Sequence, residues 1–350
     1  MGGITASHSA LRAMLKARLL LITLPVGLAM GAIITAIVLA DAGFVGVALA
    51  TPLLLILLGV ALCASYERGV RLPLNPVSVP LSLFWLWMGV SVFFSPVEYV
   101  SLMGFFLVGS LPLAFWLYTW LPDPERFWRG FVLVLIGLSL VLVSVSLYQN
   151  LIAHMRPESF FVQPNTNAAF LNLIALPLSA YFLLKAKAER RSIRLLLLGL
   201  LLFCLYYAIA VTLSRGALLG FWAGIAVLVL SAVRRVPVRY PAIVMVLAFA
   251  AFGLANLQTG GVLTDRLDSA LGSMQVLMDP SDGLSESGGS IHERSVIWRA
   301  SAELLRDAPW YGLGPSAFGL AYPAYSPVED HSSLQYVHND YLQFWIELGY

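Results

Sequence analysis

An arginine sits where a membrane chain least tolerates one. The segment Val211-Thr212-Leu213-Ser214-Arg215-Gly216 joins two apolar runs, 195–213 and 216–233, each long enough for a membrane helix. The turn between them has room for about two or three residues, so Arg215 is held close to the hydrocarbon. A charge at the bilayer centre costs at least about 2.5–3.5 kcal/mol, and less toward the interface, so an arginine kept there points to function. A guanidinium offers a permanent positive charge and planar, paired N–H donors, which is the chemistry of phosphate recognition.

Two further arginines have comparable settings. Ser290 followed by Glu293 forms a capping box that predicts a helix running to Asp307, ahead of Pro309. On a 3.6-residue period Arg294 shares a face with Ile291, Ile297, Trp298, Ser301 and Leu305, while Arg299 lies about 140° away. Arg294 is therefore the better candidate for a pocket, against the alternative of a surface arginine snorkelling over Trp298. Arg156 precedes Gln163 and is either a third phosphate contact or a solvated loop charge.

The remaining candidates could move or orient a proton. His338-Asn339-Asp340 precedes Phe344-Trp345-Ile346-Glu347-Leu348-Gly349, an apolar segment that reads as the start of a further membrane helix at 341–350. A histidine titrates near neutral pH, so His338 can accept a proton from an attacking hydroxyl. Asn339 or Asp340 also suits the N-cap of that helix. His8, His154, His292 and His331 fit surface or capping roles. Upstream, Asn165 and Asn167 lie at the opening of another span.

The elements that must position these residues are helices in a membrane. Hydrophobic residues make up 59% of the 350 and charged residues only 11%. Mean hydropathy is +0.82. A soluble domain carries roughly twice that charge, so the expected class is all-α and polytopic. A net charge of +2, with the basic residues dispersed among loops, gives no sign of a nucleic-acid partner. Cys63 and Cys204 both fall in apolar runs and support neither a disulfide framework nor a metal site.

Spans are expected near 19–40, 43–63, 77–95, 99–121, 128–149, 168–184, 195–213, 216–233 and 240–256. These nine make residues 1–256 a transmembrane domain, followed by a loop domain over 257–340. The first run follows Arg12, Lys16 and Arg18 and exceeds a signal-peptide core in length, so it reads as a retained anchor. With the N-terminus cytoplasmic, the inside segments hold 15 of the 21 Lys and Arg residues, including all three lysines. The outside keeps Arg156, Arg215, Arg266, Arg294, Arg299 and Arg306. The 257–340 loop, rich in acids and long enough to fold as a lid, is then periplasmic. It should hold a helix over 262–278 and a mobile Ser/Gly/Asp-rich stretch over 280–289. Trp116, Trp120, Trp128 and Trp222 read as interfacial belt residues rather than the lining of a groove for a lipid tail.

The order of these motifs resembles the O-antigen ligase and polymerase superfamily of membrane glycosyltransferases. It comprises Ser214-Arg215-Gly216 between two spans, then Arg294-x-x-x-Trp298, then Pro309-x-x-Gly312-x-Gly314 with Tyr322-Pro323, then His338-Asn339 before Gln343-x-x-x-Glu347-Leu348-Gly349. Phe161-Val162-Gln163-Pro164-Asn165-Thr166-Asn167-Ala168 is similar to the family's Asn-rich opening of a span, and the resemblance covers residues 150–350. It implies glycan transfer at the periplasmic face of the bacterial inner membrane, from a polyprenyl-pyrophosphate-linked donor to a hydroxyl of lipid A-core, a growing glycan or a protein serine. It also implies no cofactor and no obligatory metal, Arg215 and Arg294 as pyrophosphate-binding residues, and His338 as the base. Arg156, Asn165, Asn167, Arg299 and Asn339 are candidate substrate contacts. The family continues past its Glu-Leu-Gly helix into at least one more span, whereas this chain stops at Tyr350.

Within that superfamily a ligase, a polysaccharide polymerase and a protein O-oligosaccharyltransferase are all open. A peptidoglycan-type polymerase would need an essential outer-loop acid. A transporter of lipid-linked glycan should show repeat-related halves with binding residues near the midplane, and no such repeat is visible.

Overall fold

The computed structural model describes residues 75–120, 124–161, 163–188, 193–266, 268, 289–326 and 336–350. The expected spans at 19–40 and 43–63, the mobile stretch at 280–289 and most of the 262–278 helix lie outside them. The described residues form α1 (Ser78–Val92), α2 (Glu98–Trp120), α3 (Pro124–Leu151), α4 (Pro164–Ala188), α5 (Ile193–Val211), α6 (Arg215–Val233) and α7 (Arg239–Gln258). After these come α8 (Gly289–Asp307), the short α9 (Phe318–Ala321), a 3-10 turn (Tyr322–Ala324) and α10 (Asp340–Leu348). No strand occurs among them.

Six of these helices are long and apolar enough to cross a membrane: Glu98–Thr119, Phe127–Leu151, Pro164–Ala186, Ile193–Val211, Arg215–Val233 and Arg239–Gln258. Each coincides with an expected span. At the position of the expected 77–95 span, α1 has only fifteen residues and closes at Phe93, before Pro96. The expected 168–184 span begins earlier, at Pro164, because proline needs no partner for an amide hydrogen and its fixed φ suits the first helical position.

The chain divides into two compact units. One contains α1, α2 and α8 to α10, and the other contains α3 from Trp128 onward through α7.

In the α3–α7 unit the central element is α5, in which every residue from Leu205 to Val211 is buried. Lipid tails are as apolar as leucine, so close packing and interhelical hydrogen bonds must hold such helices together. Ala208 and Ala210 on α5 present little bulk to their neighbours. The Ser179 hydroxyl of α4 and the Tyr206 hydroxyl of α5 share a hydrogen bond of 2.6 Å. The Tyr206 ring meets Phe221 of α6 edge-on at 5.0 Å, and Phe221 stacks on Phe252 of α7 at 5.1 Å.

The other unit has a smaller core. Ile297, Ala300 and Leu304 of α8 bury one face of that helix against Phe318, Tyr322, Val337 and Ile346. Its helix α10 is nine residues long, about 13 Å at 1.5 Å per residue, and lies outside the six span-length helices.

Candidate functional site

Arg215 is positioned by the end of α5. Thr212 and Leu213 close that helix with tight bonds to the carbonyls of Ile209 and Ala210. Leu213 then takes a positive φ of 55° and reverses the chain, so three residues, 212–214, separate Val211 from Arg215. A left-handed leucine is costly, and it persists because its surroundings over-determine the turn. The Thr212 hydroxyl donates to the Ile209 carbonyl at 2.7 Å. The Thr212 carbonyl accepts from both Nε and Nη2 of Arg156, at 3.0 and 2.8 Å. Asn172 of α4 donates to the Ala217 carbonyl at 2.8 Å and fixes the first turn of α6.

The start of α6 is open. The Ser214 side chain makes no capping bond, and the space beside Gly216 is empty within 4 Å of a built Cβ. Free amide hydrogens and the positive end of the helix dipole therefore face outward at the residue that carries a guanidinium. Arg215 is half-buried and makes no hydrogen bond or ion pair among the described residues. Arg156 lies close enough to Arg266 that burial and then the neighbouring positive charge both lower its pKa. Like charges are held together at a cost, and a bound anion would relieve it. Sequence reasoning had noted Arg266 only as an outer-face charge. Its proximity to Arg156 depends on how the chain folds back after α7, which no local pattern encodes.

The two asparagines part company. Asn165 is exposed, in the first turn of α4. Asn167 is wholly buried, and its amide donates to the Ser146 hydroxyl at 3.2 Å and to the Pro157 carbonyl at 3.1 Å. Asn167 thus anchors the segment that carries Arg156, and its Oδ1 has no hydrogen-bond partner.

In the other unit, α8 places Arg294 and Arg299 both on exposed positions. Among the α8 residues whose burial is described, Ile297, Ala300, Ser301 and Leu304 are buried. Arg294 is exposed although it lies on the same angular side of the helix as the buried Ser301.

His338 stands on a fixed stalk. Val337, before it, is fully buried, with its N–H bonded to Gln343 Oε1 at 3.3 Å and its carbonyl accepting from Trp298 Nε1 at 3.1 Å. Asn339, after it, is the N-cap of α10 and accepts from the Leu342 amide at 3.3 Å. Between these ties His338 adopts a φ of 57° and exposes its imidazole.

Glu347 holds this stalk to the glycine loop. Its carboxylate accepts from Gln343 Nε2 at 3.0 Å, from the Ser316 amide at 2.8 Å and from the Phe318 amide at 3.4 Å. Burial pushes its pKa up to about 7, against the opposing pull of those three donors. The Glu347 carbonyl also accepts from the Gly314 amide at 2.7 Å. A side chain at Gly312, whose φ is 80°, would strike the backbone of Glu347 and come within 2.6 Å of the Gly349 nitrogen. Gly314, at φ 95°, presses on Ser101 and lies where a Cβ would sit 2.6 Å from that of Ser95. The loop from Pro309 to Pro315 is thus clamped between α10 and the start of α2. Glu347 had been read only as part of a motif; an acid on an otherwise apolar helix was the available signal.

Among the described residues no group of three or more His, Cys, Asp or Glu could hold a metal ion. What the two units offer is cationic and hydrogen-bonding. In one, Arg156, Arg215 and Arg266 accompany an open helix start; in the other, Arg294 and Arg299 accompany a mounted imidazole.

Residues 200–350 match a family model described as O-Antigen ligase. The match takes in Arg215, Arg294, Arg299, His338, Asn339, Gln343 and Glu347, and leaves Arg156, Asn165 and Asn167 upstream. No curated protein and no solved structure matches the chain significantly. Over that stretch the chain, with its six helices long and apolar enough to cross a membrane, is similar to the O-antigen ligase family.

Proposed function

We propose that the protein transfers a glycan from a polyprenyl-pyrophosphate carrier to an acceptor hydroxyl at the periplasmic face of a bacterial inner membrane. The observation that carries this reading is the uncapped start of α6 bearing Arg215, inside the stretch that matches the family. A guanidinium with no partner among the described residues, beside an uncapped helix start, suits a diphosphate better than any neutral ligand.

In this reading His338 removes the proton from the acceptor hydroxyl as its oxygen attacks the anomeric carbon. The bond from that carbon to the pyrophosphate oxygen breaks, and its electron pair leaves with the diphosphate. Arg215 and Arg294 stabilise the charge that develops there, with Arg156, Arg299, Asn165 and Asn339 as further substrate contacts. One displacement inverts the anomeric configuration. Asn167 acts indirectly, through the segment that carries Arg156. The positive-inside count supports an N-terminus in the cytoplasm and these groups on the opposite side.

Reconstitution in proteoliposomes with a polyprenyl-pyrophosphate glycan and three competing acceptors (lipid A-core, free glycan and a serine-bearing protein) tests the reading. Sugar should pass to one of the three, which separates ligase from polymerase and from protein glycosylation. Arg215→Ala, Arg294→Ala and His338→Ala should each lower transfer by about 100-fold or more while the protein still inserts. Full transfer by His338→Ala would remove the base assignment. Movement of the lipid-linked glycan between leaflets without sugar transfer would replace the enzyme by a transporter.

A further inference from the structure

We propose that Gln343 and Glu347 are positioning residues, which hold His338 in the orientation that its proton transfer requires. This rests on the reading of His338 as the base. His338 has a φ of 57° and an exposed imidazole, so the direction of the ring depends on the backbone that carries it. A left-handed residue with a Cβ relaxes toward negative φ unless its neighbours hold it, and that relaxation swings the Cα–Cβ bond. Gln343 is tied to the residues on both sides of His338. Its side-chain Oε1 accepts from the Val337 amide at 3.3 Å, and its own amide donates to the Asn339 carbonyl at 2.9 Å. One residue, a turn into α10, thus brackets the histidine.

Glu347 decides which way the Gln343 amide faces. The two lie four residues apart on α10, on one side of the helix. Glu347 Oε1 accepts from Gln343 Nε2 at 3.0 Å, which leaves the amide oxygen for Val337. A flipped amide would set its NH2 group against the Val337 N–H and its oxygen against the carboxylate. The carboxylate is itself fixed, because Glu347 is only 4% exposed and accepts from the Ser316 and Phe318 amides as well. All three donors are neutral, and a buried carboxylate without a cation is costly to keep. A neutral residue would fill position 347 more cheaply if packing were its only task. Orienting the amide that brackets the base gives the acid its reason to be there.

The test uses the full chain in proteoliposomes, with a polyprenyl-pyrophosphate glycan as donor and lipid A-core, free glycan and a serine-bearing protein as acceptors. Initial rates over a range of donor concentration separate kcat from KM, and thermal unfolding gives Tm. Gln343→Ala and Glu347→Gln should each lower kcat by about 10- to 100-fold, with the donor KM within about twofold. The exchange Gln343→Glu/Glu347→Gln again supplies an acceptor for the Val337 amide and one donor between positions 343 and 347. It should recover kcat to within about threefold of the unaltered protein. Unchanged kcat in Gln343→Ala, beside an inactive His338→Ala, would overturn the positioning role and leave the base reading intact. Full transfer by His338→Ala would overturn both. An exchange variant that regains Tm but not kcat would show the pair to be structural only, and would also overturn the proposal.

Discussion

Arg156 clasps the carbonyl oxygen of Thr212 with both Nε and Nη2, at 3.0 and 2.8 Å, across 56 residues of sequence. That oxygen belongs to the turn leading into Arg215, so one guanidinium orients the backbone that presents another. Arg156→Ala should cost about 1–2 kcal/mol of stability, since two charge-assisted bonds to one acceptor are lost. It should also weaken donor binding. Arg156→Lys should restore little, because an ammonium is a point donor without the planar fork. Denaturant unfolding and donor titration of the two variants check this together.

Arg215 should govern donor affinity rather than folding. Arg215→Ala should weaken binding of the lipid-linked diphosphate by about 100-fold, and Arg215→Lys by about tenfold, with Tm little changed. Binding measured with a non-reacting donor analogue separates this from a loss of chemistry. A fall in Tm matching the loss of binding would show that the residue is structural.

Asn167 should behave in the opposite way. Its buried amide bridges the Ser146 hydroxyl and the Pro157 carbonyl, so Asn167→Ala should destabilise the protein by about 1–3 kcal/mol. Asn165→Ala, at an exposed position, should leave stability unchanged. Comparing the two melting curves decides which asparagine supports the scaffold.

Glu347 sets a pH dependence of stability with a defined sign. Its pKa is about 7 in the folded protein against an ordinary value of 4.5. Below pH 4.5 the carboxyl is protonated in both folded and unfolded chains, and its contribution is fully present. Between pH 4.5 and 7 the unfolded chain sheds the proton first, so stability falls as pH rises, by about 3 kcal/mol in total. Glu347→Gln should flatten that slope in unfolding curves taken from pH 4 to pH 8.

Gly314→Ala should destabilise the glycine loop by about 2–4 kcal/mol, from the left-handed φ and from contact with Ser95 and Ser101 together. Gly104→Ala attacks the same junction from α2, where its Cβ would meet the Pro315 backbone at 2.8 Å. If the clamp is shared, the two substitutions together should cost less than the sum of each alone, which a double-mutant cycle reads directly.

Hydropathy was enough to locate six span-length helices, because a bilayer imposes length and composition on each one separately. The short turn before Arg215 was legible for the same reason: two adjacent runs left no room for more. The partners of polar groups were not legible. Asn165 and Asn167 differ by two positions in one motif, yet one faces out and the other is sealed against Ser146, 21 residues away. The pairing of Glu347 with Ser316 and the approach of Arg266 to Arg156 likewise join residues far apart in the chain. Arg294 was placed on the apolar face by period alone, and its exposure depends on neighbours that the period does not name.

The fifteen residues of α1 span about 22 Å, less than a hydrocarbon core of about 30 Å. Yet the helix is greasy along its outer side, with Leu83, Leu86 and Val90 exposed. A bilayer crossed by α1 would have to thin along that side, bringing water several ångströms nearer the midplane.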